Sequence, residues 1–430
     1  MGLRPVFIVD AKRSPQAKAG ADLKDVQAPY LCDYIVRHLI DRSGIPKDHV
    51  DEVIIGNVGN PAQFPNIGRV IALLAGLDKK TSGYTVHRNC ASGMEAVSQA
   101  YIKIASGRSE VIVAGGVESM SQMPLLYNKE MTEFFAGLMR AKTIADKIKI
   151  LSTFRPPYLS PVIAIEQGLT DPFCGLNMGQ TAELLARELG ITREMQDEFA
   201  NQSHAKAVAA QKAGRFKDEI LPIVYGSRLD KLLENDVGPR DNSTMESLAK
   251  LKPYFDKKSG TVTVGNSCPI TDGGSALLIV SEDALKKYNL TPMARIVEFH
   301  FAGLEPERMG MGPLCAMDGV FTRTGLSLSQ MDLVEINEAF AAQVIAVRRG
   351  LSDAEVAKRF GVHKVHGEIP AEKFNVNGGA VALGHPVGST GSRLIVTLAH
   401  ELKRRKAKYG VASLCIGGGQ GGATVIENLG

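Results

Sequence analysis

"VIVAGGVES" at residues 111–119 and "SLCIGGGQG" at residues 413–421 read alike: an apolar strand that follows a long helix and runs into glycines. Two such endings in one chain predict an internal duplication of about 130 residues, a longer period than that of the solenoid repeats. Upstream of the first ending, strand and helix alternate. "VFIVD", "VDEVIIGNV" and "GYTVHR" read as strands, whereas residues 23–42, "NIGRVIALLAGL" and "ASGMEAVSQAYIKIASG" carry helical spacing. The C-terminal part repeats the rhythm with "MARIVEFHFAG", "LVEINEAF", "GSTGSRLIVTLAHELKRR", "YGVASLCIGGG" and "GATVIENL". The expectation is an α/β layer architecture with a largely parallel sheet.

Residues 121–265 differ, being richer in charge and helix with little strand signal. "TAELLARELGITREMQDEFANQSHAKAVAAQKAGRF" predicts two helices, the second capped by Thr192. The expected division is a first half at 1–120 and 266–292, an inserted helical loop domain at 121–265 that binds ligand, and a second half at 293–430. Within the insertion, residues 129–151 predict one amphipathic helix. Phe134, Leu138, Ala141, Ala145 and Ile148 form its stripe, and Arg140, Lys142, Lys147 and Lys149 make the rest basic. Such a helix packs on its own protein or lies against a membrane or partner subunit.

The 430 residues carry 44% hydrophobic and 22% charged side chains, as soluble globular proteins do. A net charge of +4, from 50 basic and 46 acidic residues, is too even to imply a nucleic-acid partner. Six cysteines, at 32, 90, 174, 268, 315 and 415, form no C-x-x-C pair, which favours a reducing compartment with functional thiols over a disulfide framework. No segment has the apolar length of a membrane span. "MGLRPV" lacks the Ser or Thr of a myristoylation signal, the apparent strand at Pro5 leaves no room for a signal peptide, and "ENLG" is no peroxisomal address. A cytoplasmic protein is expected.

Four stretches can carry chemistry. In "HRNCASGMEA" (87–96), Cys90 sits between a strand and a helix. The helix dipole there is expected to lower its pKa and favour a thiolate, although a small buried cysteine is common. In "NVNGGAVALGHPVGSTGSR" (375–393), His385 lies in a glycine-dense loop whose backbone can approach a ligand, and it is placed to take a thiol proton. Cys415 ends an apolar strand and meets five glycines in the next seven residues; it is either a core thiol or part of an oxyanion site at a strand C-terminus. In "EINEAFA" (335–341), Asn337 either caps a helix or serves function. His87, His363 and His366 show no metal spacing, and no metal site is expected. No G-x-G-x-x-G follows the first strand, which argues against a dinucleotide-binding dehydrogenase.

Together N-C-A-S-G, N-E-A-F, G-H-P with G-x-x-G, and C-x-G-G-G resemble the thiolases over essentially the whole chain. The resemblance implies an α/β thiolase fold: two duplicated halves in a five-layer αβαβα sandwich with an inserted helical loop domain. It implies that Cys90 attacks the 3-keto carbon of a 3-ketoacyl-CoA, His385 acts as its base, and Cys415 supplies and withdraws the second proton, with ping-pong kinetics. One oxyanion hole would use His385 and a water on Asn337, the other the N–H groups of Cys90 and Gly417. Met178 in "NMGQTAE" would line the acyl pocket. Asn266, Ser267 and Cys268 in "GNSCPITDGG" would cover the pantetheine arm, and Arg215 would lie near the nucleotide end.

Coenzyme A is thus expected as co-substrate, with no tightly bound cofactor, and a homodimer or tetramer as the assembly. Many short-chain biosynthetic thiolases have Ser where Cys268 stands and His where Asn177 stands, which favours the degradative reaction of β-oxidation over a biosynthetic acetyl-CoA acetyltransferase. The long segment 124–174 resembles the thiolase subunit of the trifunctional fatty acid oxidation complex, implying a hydratase–dehydrogenase partner or peripheral membrane contact through 129–151. That subunit commonly has His-Glu where this chain has Asn337-Glu338. A non-catalytic thiolase-like lipid carrier needs neither both cysteines nor the histidine, and this chain has all three.

Overall fold

The computed structural model describes residues 3–430; the first two residues of "MGLRPV" lie outside it. The first half comprises β1 (Val6–Arg13), α1 (Asp33–Ser43), β2 (Glu52–Gly56), α2 (Ile67–Leu74), β3 (Ser82–Val86), α3 (Ser92–Ala105) and β4 (Val111–Ser119). The inserted region holds α4 (Lys129–Arg140), α5 (Ile144–Leu151), α6 (Met178–Glu188) and α7 (Arg193–Lys212) among shorter elements. The remainder comprises β5 (Thr271–Ser281), β6 (Ala294–Gly303), α8 (Gly312–Thr324), β7 (Leu333–Ile336), α9 (Ala341–Ser352), α10 (Val387–Arg405), β8 (Tyr409–Ile416) and β9 (Gln420–Asn428).

The long strands follow one hydrogen-bonded path, β7-β8-β9-β6-β1-β5-β4-β2-β3. Read outward from its middle, β1-β5-β4-β2 and β6-β9-β8-β7 are the same arrangement twice. The halves meet where β1 pairs with β6 over Val6–Ile296, Phe7–Arg295 and Ile8–Ala294. The expected largely parallel sheet is corrected. Only β2–β3, β2–β4 and β7–β8 run parallel, and the pairs formed by β5 and β9 are antiparallel. The reason is local for β9, which follows β8 through a tight turn at Gly418 and Gly419, φ +86° and +72°, with no crossover helix between them. The strand β5 was not read from the sequence, because Gly273 and Gly274 interrupt its apolar run.

Strand alternation sorts the side chains into layers. Ile112 and Ala114 of β4 face inward with Leu277 and Ile279 of β5, and Ala412 and Leu414 of β8 meet them from the other half. Between the two inner faces lie α3 and α10, packed on each other. The outer faces are covered by α1 and α2 over Val53, Ile55 and Val113, and by α8 and α9 over Val334, Val411 and Val425. This is the expected five-layer αβαβα sandwich. Each fully buried Leu or Ile in it is worth ~1.5–3 kcal/mol over exposure.

In the insertion, the two helices expected around Thr192 form as α6 and α7, and the Thr192 hydroxyl accepts from Met195 N. The single helix expected over 129–151 is corrected to two. Ala141 turns extended (ψ 120°), and Thr143 caps α5 by accepting from Asp146 N. Local capping outcompetes continuation, so the five-residue stripe does not lie on one helix.

Glycine sets how closely α10 can approach. A Cβ on Gly116 of β4 would lie 2.0 Å from the Gly388 carbonyl oxygen, whereas one on Gly303 would meet nothing within 4 Å. Gly116→Ala is therefore expected to cost about 2 kcal/mol or more, and Gly303→Ala about 0.5 kcal/mol or less. Urea denaturation midpoints of the two variants compare these directly.

Candidate active site

The turn that carries Cys90 is built by its neighbours. Asn89 adopts a left-handed conformation (φ 44°), which Asn tolerates better than most residues. Its Nδ2 donates to the Gly417 carbonyl at 2.8 Å, so the loop before α3 is tied to the loop after β8. Ser92 Oγ closes the turn by accepting from Arg88 N at 2.9 Å and donating to Asn89 O at 2.7 Å. The backbone N–H groups of Gly417 and of Cys90 itself favour the Cys90 thiolate.

The expected low thiol pKa is corrected. Burial raises Cys90 above an ordinary thiol, and the two N–H groups only partly offset it. A half-charge at a helix end cannot compensate the removal of a thiolate from water. Cys415, 1% exposed, is raised further by burial and by the nearby Cys90 and Cys268 thiols. Cys268 is pushed up to about 12 by burial, then by Cys90. Cys415 is buried and Cys90 and Cys268 are half-buried, and all three thiols are protonated at neutral pH.

His385 stands ahead of α10 as a buried, neutral imidazole. Its backbone N donates to Thr271 Oγ1 at 3.1 Å. Its Nδ1 lies 2.6 Å from Thr390 Oγ1, and that hydroxyl donates to Pro386 O at 2.9 Å. With its proton so committed, the Thr390 oxygen accepts, and His385 carries its own proton on Nδ1. Nε2 is left with its lone pair, buried and without a protein partner. Burial, with the Arg393 charge second, lowers His385 to about 3. Moving a proton from a buried thiol to this imidazole, with no substrate to take the charge, costs on the order of several kcal/mol.

Asn337 is fully buried, and neither Oδ1 nor Nδ2 has a protein partner. It is not a helix cap: α9 starts at Ala341 and Phe340 holds the cap position. An orphaned buried amide of this kind suits a ligand or a bound water. Glu338 beside it is saturated by Ser203 Oγ at 2.6 Å, Asn375 Nδ2 at 2.8 Å and Val381 N at 3.2 Å.

The remaining sequence-selected residues divide. Met178 opens α6 behind the Asn177–Gln180 capping box, and a Cβ on Gly417 would sit 3.2 Å from its sulfur. Cys268 N donates to Ala339 O at 3.0 Å, which holds the 266–268 loop against Asn337 and its neighbours. Asn266 spends its side chain on Thr263 N, Asp197 Oδ1 and Thr261 O, and Ser267 Oγ donates to Thr263 O. Arg215 Nη1 donates to Asn377 Oδ1 at 3.0 Å. These three are engaged within the protein. Asn89, Thr390 and Glu118 were not singled out from sequence, although Thr390 sits five residues after His385, in the first turn of α10. Among the described residues no cluster of three or more His, Cys, Asp or Glu side chains is placed to hold a metal ion.

Comparison with known proteins gives a consistent answer. Residues 6–283 match the family model "Thiolase, N-terminal domain" and residues 290–428 match "Thiolase, C-terminal domain". The chain is 40% identical over 428 residues to mitochondrial 3-ketoacyl-CoA thiolase from Bos taurus, covering 99% of each. The crystal structure of the Bacillus anthracis acetyl-CoA acetyltransferase superposes with a TM-score of 0.87 at 39% identity, covering 100% of both chains. Human mitochondrial 3-ketoacyl-CoA thiolase in complex with CoA superposes with a TM-score of 0.85 at 38% identity, covering 100% of this chain and 99% of that one.

Two outcomes follow from the geometry. Thr390→Val releases the Nδ1 proton and should lower kcat about 10-fold or more with KM little changed, read by steady-state kinetics. For the free enzyme, iodoacetamide alkylation of Cys90, followed by mass spectrometry, should keep rising through pH 9 without a plateau. A raised thiol pKa keeps the thiolate scarce below that pH, whereas a plateau near pH 7 would mean the dipole prevails.

Proposed function

The chain belongs to the thiolase family and is an acyltransferase, and from this premise we propose that it cleaves 3-ketoacyl-CoA with CoA to give acetyl-CoA and a shortened acyl-CoA. The observation that carries this reading is the placement, ahead of the two packed helices α3 and α10, of the half-buried Cys90 thiol and of the neutral imidazole of His385, whose buried Nε2 has no protein partner, with the buried Cys415 thiol raised by Cys90. A lipid carrier needs no such set.

In the proposed reaction Cys90 Sγ bonds to the 3-keto carbon while its proton passes to His385 Nε2. The bond between the second and third carbons then breaks. Its electron pair leaves with acetyl-CoA as an enolate, which the Cys415 thiol protonates. The Cys415 thiolate next takes the proton of incoming CoA, whose sulfur displaces Cys90 from the acyl group, and His385 returns its proton to Cys90. No step calls for a tightly bound cofactor; coenzyme A is co-substrate.

Charge on the first oxygen is met by His385 and a water on Asn337, whose orphaned amide supports the assignment. Charge on the second is met by the N–H groups of Cys90 and Gly417; the bond from Asn89 Nδ2 to Gly417 O, which ties the two loops together, supports the assignment. Each donor is worth about a hundredfold or more in rate. We assign Met178 to the acyl pocket and keep the division at 1–120 with 266–292, 121–265 and 293–430. The pairing of β5 with β1 and β4 supports counting 266–292 with the first half.

Degradation in β-oxidation is favoured over biosynthesis by Cys268 and Asn177. Biosynthetic acetyl transfer is the second reading, because the B. anthracis structure bears an acetyl-CoA acetyltransferase name. The inserted region supports a peripheral contact, with membrane or with a hydratase–dehydrogenase subunit. Met139, Ile144, Ile148 and Leu151 are exposed beside Arg140, Lys142, Lys147 and Lys149. No helix among the described residues is long and apolar enough to cross a membrane.

CoA-dependent cleavage of 3-ketoacyl-CoA esters of four to sixteen carbons tests the reading. Turnover of long chains is expected, with Cys90→Ala inactive. Activity on acetoacetyl-CoA alone would move the assignment to the short-chain reaction, and none at any length would return it to a carrier. Cys415→Ala should still accept an acyl group on Cys90 from an acyl-CoA while losing carbon–carbon cleavage by about 100-fold or more. Co-sedimentation with anionic vesicles, compared with Ile144→Asp/Ile148→Asp, reads the lipid contact.

A further inference from the structure

Glu118 has no part in the chemistry above, yet it stands at the centre of the scaffold that delivers it. It is the penultimate residue of β4, 1% exposed, and points to the inner face, where α3 and α10 lie. Both of its oxygens are saturated. Oε1 accepts from Asn57 Nδ2 at 2.9 Å and Gly59 N at 2.8 Å. Oε2 accepts from Val58 N at 2.9 Å and Gly388 N at 2.9 Å. One carboxylate therefore ties the turn after β2 to the first turn of α10.

The last of these bonds is the informative one. Pro386 occupies the cap position of α10 and offers no side-chain acceptor, so the helix has no cap of its own. Glu118 supplies one from another strand: burial raises its carboxyl to about 7 against the lowering effect of the Gly59, Val58 and Gly388 N–H groups and of Asn57, and its ionised form puts negative charge at the positive end of the dipole. Only Pro386 separates His385 from this turn, and Thr390, which fixes its tautomer, lies within it. The fit is close: a Cβ on Gly388 would lie 2.8 Å from Glu118 Oε2 and 2.7 Å from Val117 O. The carboxylate also acts on the thiol side, since its charge contributes to raising Cys90.

Resting on the thiolase reading, we propose that Glu118 is a positioning residue for the Cys90–His385 pair, capping α10 from β4 so that Nε2 is held at the thiol. It touches no substrate and acts through Gly388. Its replacement should therefore appear in kcat, not in substrate affinity. Displacement of a catalytic group by about 1 Å costs on the order of 100-fold.

The test is Glu118→Gln in the full chain, which preserves shape but puts an NH2 against N–H donors. The expected result is kcat lower by about 10- to 100-fold, with KM for 3-ketoacyl-CoA within about twofold. Asp236→Asn is the control. Asp236 is an equally buried carboxylate that binds Arg13 and Gln16 N and not α10, so it should lose stability while keeping kcat within about threefold. If Glu118→Gln does not fold, Glu118→Asp takes its place with the same expectation, since it keeps the charge but withdraws it from Gly388. Unchanged kcat in the Glu118 variant overturns the proposal, as does a loss carried by KM or an equal kcat loss in Asp236→Asn. A wild-type enzyme that cleaves no 3-ketoacyl-CoA fails the functional reading instead, and the same assay separates the two failures.

Discussion

The site depends on one constraint: α10 must pass between α3 and β4 at backbone distance. Gly93, Gly116 and Gly388 make this possible. A Cβ on Gly93 would lie 2.9 Å from Gly388 O, and one on Gly391 would lie 2.5 Å from Met94 N. Side chains at these points would push apart the two helices whose leading residues are Cys90 and His385. The inner core then holds the arrangement, because both helices are clamped between the inner faces of the two halves. Packing of this density transmits small displacements instead of absorbing them. The separation of Cys90 and His385 is therefore a property of the whole sandwich.

Burial also decides the protonation states. Cys90, Cys268 and Cys415 are all raised and His385 is lowered, each with desolvation as the largest cause. At rest the three thiols and the imidazole are neutral. In the proposed reaction charge appears only when a carbonyl oxygen is present to receive it, and donors fixed in advance act on it by electrostatic preorganisation.

Much of this was legible in the sequence, and the failures have physical causes. The duplication was visible because "VIVAGGVES" and "SLCIGGGQG" each follow a helix, and the paired topology around β1 and β6 repeats it. Strand direction was not visible, because a period-two pattern is the same for parallel and antiparallel neighbours. The strand β5 was obscured by Gly273 and Gly274, which the close approach of Leu31 O at 2.5 Å explains for the second. Cys90, His385, Cys415 and Asn337 stood out because their glycine-rich settings are unusual. Thr390 and Glu118 did not, since a threonine in a helix and a glutamate ending a strand have ordinary local surroundings. Their roles are set by atoms far away in the chain, Gly388 being 270 residues from Glu118. The sign of the Cys90 shift was missed for a related reason: the dipole is local and readable, but the degree of burial is tertiary.

The duplication has a further consequence. α3 and α10 occupy the same topological place, each leading into the strand, β4 or β8, that lies two strands from the seam. Cys90 stands two residues ahead of one helix and His385 two residues ahead of the other. Cys90 and His385 thus occupy one position used twice in the repeated arrangement. A dimer of identical halves could present there only two thiols or two imidazoles. Fusing the halves into one chain removes that restriction, because each copy can then carry its own residue. Complementary acid–base chemistry across a symmetric interface requires that the two copies be encoded separately.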